Sequence, residues 1–176
     1  MAVFTFEGVA APVIPYNFEV SAKAVGYHAD AMPALACGFF TTTLTAELME
    51  NPVAMFSEED KVALKEYVGK GVIWMEESSP DLYPNEELIG ILKHEEAHIV
   101  YGDTVTEDAD VNDLQELRAD AYAASYCGKT TMTKALQRTI LLTAEREFGK
   151  GVEAINKANK ALENNNHLKL RLNALK

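Results

Sequence analysis

The stretch from Asn85 to Gly102, NEELIGILKHEEAHIVYG, decides how this chain of 176 residues is read. Leu88, Ile91, Leu92 and Ile99 recur at three-and-four spacing, which at about 100° per residue forms one apolar helical stripe. Asn85 suits the cap that opens such a helix, and Gly102 suits the left-handed residue that closes it. Glu95 falls inside the stripe, where a carboxylate is costly unless something pairs with it. His94 and His98 stand four residues apart, one above the other on the same face.

On either side of this helix the pattern differs. Downstream, glycines punctuate further helices: about Val111 to Cys127 ending at Gly128, Thr131 to Phe148 ending near Gly149, and Val152 to Glu163. A last short one starts at His167, and Asp103 to Asp110 is an acidic loop. Upstream, Ala2 to Phe6, Asn17 to Val20, Cys37 to Thr45 and Gly71 to Glu76 read as short strands, with Pro12 and Pro15 separating the first two. Ser57-Glu58-Glu59-Asp60 opens a helix continued by Lys61 to Val68, and Pro80 to Pro84 reads as a loop. Strands precede helices instead of alternating with them. The expected class is α+β, with a small mixed N-terminal sheet followed by a helical half, all of residues 1–176 forming one domain.

Hydrophobic residues make up 48% and charged residues 24%, the usage of a globular chain with a core. The longest nearly uncharged apolar stretch, Ala31 to Phe40, is about half the length of a membrane span. No basic segment precedes an apolar run at the start, and Cys37 and Cys127 are too few for a disulfide framework. The expectation is a cytoplasmic protein without a membrane span. The net charge of −11 is uneven: residues 1–128 hold 6 Lys/Arg against 23 Asp/Glu, residues 129–176 hold 10 against 4. Such an acidic body argues against a nucleic-acid partner, because phosphate contacts need a basic face.

His94-Glu95-Glu96-Ala97-His98 is an HExxH sequence, which a chain of this composition produces by chance roughly 0.01 times. Imidazoles at i and i+4 can reach one tetrahedral zinc, and the Glu beside the first can take a proton from water activated there. A zinc that keeps one position open for water needs a third protein ligand. Eighteen residues after His98 comes Glu116, in Glu116-Leu117-Arg118-Ala119-Asp120, whose i, i+4 spacing puts both acids on one helix face. Ala123, Ala124 and Cys127 continue that face with small side chains that permit close approach. Asp113 lies near the same face and is the rival third ligand.

HEEAH followed by ELRADAYAA resembles the gluzincins, zinc peptidases with an HExxH helix and a Glu ligand on a following helix. Within them, ExxAD ahead of an Ala-rich helix is most similar to the family of CAAX-processing and heat-shock membrane metallopeptidases, here in a small soluble form. A lesser likeness is to the small zinc peptidases that cleave phage repressors, whose second motif usually has Asn in place of Asp120. The resemblance implies a zincin-like fold, Zn2+ held by His94, His98 and Glu116, Glu95 as general base, and Asp120 orienting a ligand His. That family also carries a His-Pro pair with an Arg six residues after the His. His167-Leu168-Lys169-Leu170-Arg171 has the His and the Arg, at a spacing of four and without the Pro. On this likeness His167 is a catalytic donor to the tetrahedral oxyanion, and Arg171, one turn later, donates too or pairs with an acid. The likeness covers roughly residues 85–128 and 165–176.

These readings converge on a zinc-dependent metalloendopeptidase acting on a peptide or protein substrate. By analogy, Cys37 to Thr45 or Gly71 to Glu76 forms the cleft's edge and holds the substrate extended. The other reading is a metallopeptidase-like binding or regulatory protein without peptidase activity, against which Glu95 weighs, since a purely structural role does not need it. Asp108, Asp110, Asn112 and Asp113 look like a calcium loop, but its sixth position is Asp113 instead of Gly and its twelfth Ala119 instead of Glu. Peptide deformylases share HExxH but use a Cys ligand from a glycine-containing motif not found here. Cys37, with His28 nearby, has no supporting motif and reads as a buried thiol, and Trp74, Phe39 and Phe40 read as core.

Overall fold

The computed structural model of the chain describes residues 3–17, 38–50, 56–104 and 106–176. Val13–Tyr16 (β1), Phe39–Thr43 (β2) and Gly71–Glu76 (β3) form one sheet with β3 in the centre. β3 runs parallel to β1, with Val13 opposite Ile73, and antiparallel to β2, with Phe40 opposite Trp74. Paired on both sides, β3 is buried along nearly its whole length, which its GVIWME sequence suits.

Pro15 does not separate strands, as the sequence suggests, but sits inside β1. The carbonyl of Pro12 accepts from Ile73 of β3 and that of Tyr16 from Glu77 just after it, whereas that of Val13 accepts from Phe4 on the other side. By alternation the nitrogen of Pro15 faces away from β3, so its missing N–H costs no ladder bond. In the expected Ala2 to Phe6 strand, the described residues form only an isolated bridge from Phe4 to Val13. Residues 18–20 of the Asn17 to Val20 segment lie outside the described residues, as do His28 and Cys37.

Two short helices, Ala46–Glu50 (α1) and Glu58–Leu64 (α2), precede β3. Ser57 and Asp60 make the expected reciprocal capping box of α2, which a 3-10 turn at Lys65–Tyr67 continues. Ser79–Leu82 (α3) is a helical turn where a loop was expected, because Pro80 in a first turn lacks only an N–H the helix does not use.

The helical half comprises Asn85–Tyr101 (α4), Ala109–Cys127 (α5), Lys129–Phe148 (α6), Val152–Asn164 (α7) and Asn166–Ala174 (α8). Asn85 is the first residue of α4, with Pro84 in the cap position and no side-chain cap. α5 starts two residues before Val111 because the Asp108 carboxylate accepts from the N–H groups of Asp110 and Val111. The class is α+β.

The apolar stripe of α4 explains its position. Leu88, Ile91 and Leu92 pack on one face of the sheet with Val13, Ile73, Met75, Tyr83 and Ala135 of α6. The opposite face carries a second cluster of Ile14, Leu44, Met49, Phe56, Leu64, Val72 and Trp74. Trp74 stacks on Phe40 and Phe56, and its indole N–H donates to Thr42 Oγ1 at 2.9 Å. α5 approaches α4 through fully buried Ala119 and Ala123, and a Cβ at Gly90 would lie 3.2 Å from Cys127 Sγ. Small residues thus bring the Glu116 face of α5 against the histidine face of α4. No helix among the described residues is long and apolar enough to cross a membrane.

Candidate metal centre

Three donor atoms converge where α4 meets α5. Nε2 of His94 and Nε2 of His98 are 3.2 Å apart. Glu116 faces both, with Oε2 at 3.3 Å from His94 Nε2 and Oε1 at 3.6 Å from His98 Nε2. Metal bonds of about 2.0–2.1 Å at tetrahedral angles place donor atoms roughly 3.3 Å from one another. The triangle therefore has the dimensions of three corners of a tetrahedral site, and the group can hold a metal ion. Asp113, the rival ligand, is not in the group. It lies one turn before Glu116 and pairs with Nδ1 of His167 on α8.

The carboxylates of α5 are held from the C-terminal helix. Arg171 donates through Nε to Asp120 Oδ2 at 2.7 Å and through Nη2 to Oδ1 at 2.8 Å. Its Nη1 lies 2.7 Å from Glu116 Oε2. Asp120, 1% exposed, brings Oδ1 to 2.9 Å from Nδ1 of His94. That contact is close but bent, so the His94 nitrogen has no well-aligned hydrogen-bond partner.

The charges respond to one another. Burial pushes the Glu116 and Asp120 carboxyls up, but His94 and Arg171 reverse this and hold each at about 2. Burial lowers the basicity of His94, yet Asp120 and Glu116 outweigh it and raise its pKa to about 9. Arg171 is also raised, its burial overcome chiefly by Asp120. On the other histidine, Nδ1 of His98 lies 3.0 Å from Asp103 Oδ2. Asp103 has no role in the sequence reading, which left it in an acidic loop.

Glu95 is half-buried beside the triangle. Burial raises its pKa, and the two imidazoles pull it only partly back. The next residue, Glu96, turns away from the triangle and is fully partnered. Lys93 Nζ is 2.5 Å from its Oε1, which also accepts from the Tyr122 hydroxyl at 2.8 Å. Its Oε2 accepts from the N–H groups of Ala10 at 2.5 Å and Ala11 at 3.3 Å.

The structure thus brings together His94, His98, Glu116, Asp120 and Arg171, with Glu95 alongside. His167 does not join them at the triangle; Asp113 occupies its Nδ1. Of the two strands considered for the cleft edge, β3 is paired on both sides, which among the described residues leaves Phe39–Thr43 as the outer one. No protein-family model, curated protein or solved structure matches the chain. The likeness to gluzincins accordingly rests on the motif residues.

Proposed function

We propose that this chain is a zinc-dependent metalloendopeptidase of the gluzincin kind, acting on a peptide or protein substrate in the cytoplasm. The observation that carries the reading is the His94, His98 and Glu116 triangle with edges of 3.2, 3.3 and 3.6 Å, next to the half-buried Glu95. Two imidazoles and a carboxylate at this spacing suit zinc with a fourth position open. When bound, zinc supplies Lewis acidity toward the scissile carbonyl and lowers the pKa of a water toward about 7.

The chain's own groups do the rest. Glu95 takes the proton from the attacking water and returns it to the leaving amine. Its raised pKa brings it nearer the working pH, which favours the second transfer. Arg171 keeps Glu116 and Asp120 ionised and fixed, and Asp120 steadies His94. The outer edge of β2 receives the substrate backbone as an added strand. His167 docks α8 on α5 by pairing its Nδ1 with Asp113.

The test combines metal analysis of natively purified protein with digestion of an unbiased peptide library. One zinc per chain and cleavage are expected. Glu116→Gln should lose zinc, as Glu95→Gln should not. A protein that carries zinc yet leaves every peptide intact would favour the binding or regulatory reading.

A further inference from the structure

The geometry points to Asp103 as the positioning residue of His98, placed there by the turn that ends α4. The inference rests on the metal reading of His94, His98 and Glu116. It begins with the backbone. Gly102 adopts φ 67° and ψ 34°, the left-handed conformation. Its N–H donates to the Ile99 carbonyl at 3.2 Å, and the Asp103 N–H donates to the His98 carbonyl at 2.9 Å. This pair of bonds is the Schellman ending of a helix, which folds the chain back over its last turn. The residue after the glycine therefore returns to the level of His98, five positions earlier.

The side chain uses that return. Asp103 Oδ2 lies 3.0 Å from His98 Nδ1, and the carboxylate is 6% exposed although it belongs to a surface loop. Its other oxygen, Oδ1, pairs with Arg118, whose guanidinium lies 4.2 Å from the centre of the Tyr101 ring. Arg118 stands on α5 between Glu116 and Asp120, so the helix that supplies the third donor also anchors the carboxylate behind His98.

Chemistry gives this arrangement a purpose. A neutral imidazole presents a lone pair on only one nitrogen. A carboxylate on Nδ1–H fixes the tautomer that leaves Nε2 free toward the triangle and holds the ring plane. Each histidine then has its own carboxylate backed by its own arginine. For His94 these are Asp120 and Arg171, and for His98 they are Asp103 and Arg118.

Zinc affinity, measured by competition with a chromophoric chelator, tests the assignment on the full chain. Asp103→Ala should bind zinc about 10- to 100-fold more weakly than wild type while keeping its helicity. Asp103→Asn, which retains an acceptor oxygen, should lose less. Nitrogen-15 NMR of the metal-free protein, at a pH where the ring is neutral, should show His98 as the Nδ1–H tautomer in wild type. Asp103→Ala should relax that preference and leave the His94 signals in place, a change that mere loosening of the loop does not produce. Equal zinc affinity in wild type and Asp103→Ala, or an Nε2–H tautomer of His98 in wild type, overturns the inference. Wild type that fails to bind zinc at all overturns the metal reading itself.

Discussion

Glu95 and Glu96 are adjacent in the chain and have opposite fates. Glu96 points to the side of α4 where Lys93, Tyr122 and two backbone N–H groups await it. Burial alone would raise its pKa, but Lys93, Tyr122 and those N–H groups bring it below the usual carboxylate value. Glu95 points beside the triangle, finds no such set of donors, and is raised by its burial. On the proposed function, the difference separates a structural carboxylate from the reactive one. A buried acid whose acceptor sites are filled by protein donors is stable and inert, whereas one left short of donors is ready to take a proton.

The largest expected effect separates the two acids by chemistry. Glu95→Gln should lower peptide hydrolysis by about 10²-fold or more with zinc content and melting temperature unchanged, because general-base assistance contributes roughly 10²–10⁴. Glu96→Gln should do the reverse: catalysis per folded molecule is retained, and stability falls by about 3–5 kcal/mol as Lys93 is left buried and unpaired. Denaturant titration of both variants decides this, and equal destabilisation by the two would erase the contrast.

A pH series sharpens it further. In the metal-free chain the pKa of His94 is raised from 6.5 to about 9, so its contribution to stability is full below pH 6.5 and is lost as pH rises through 9. The loss is of order 3 kcal/mol. Glu116 and Asp120, held at about 2, contribute above their ordinary values near 4 and lose that contribution as pH falls toward 2. Zinc requires His94 neutral, so its stabilising effect should grow over the window in which the metal-free chain weakens. Melting curves with and without zinc at pH 6, 7.5 and 9 should diverge; curves that stay parallel contradict the coupling.

The smallest effect concerns Tyr122. Tyr122→Phe removes one donor from Glu96 and should cost about 1–2 kcal/mol, with hydrolysis per folded molecule unchanged, as seen in the melting temperature and in kcat. A larger loss in kcat than in stability would mean that Glu96 and Glu95 are coupled along α4.

Elements that repeat with a local period were legible in the sequence. The limits of α4 and its histidine pair and the helix bearing Glu116 follow from caps and spacing, and the strands expected at Cys37 to Thr45, observed as Phe39–Thr43, and at Gly71–Glu76 from residue type, because propensity and amphipathic phase depend on residues within a turn or two. Pro15 was misread because its effect depends on which strand edge it faces, and Pro80 because a helix tolerates proline in its first turn. Asp103 did leave a local trace: a glycine that closes a helix directs the next residue back over it, and the turn His98 to Asp103 can be read on that basis.

Other facts of the site had no such trace. Asp113, Glu116 and Asp120 are all acids of one helix, and their different partners follow from the rotation at which α5 docks through Ala119, Ala123 and the Gly90 gap. Arg171 reaches Asp120 across 51 positions, and Glu96 meets Ala10 across 86. The amino-acid order determined the helix, its paired histidines and the acid-bearing helix after it, through short-range backbone and periodicity rules. Which acid faces the histidines, which glutamate is neutralised and which arginine backs each carboxylate depended on docking. Those contacts join segments far apart in the chain, and their energies exist only once apolar packing has set the distance and rotation between helices.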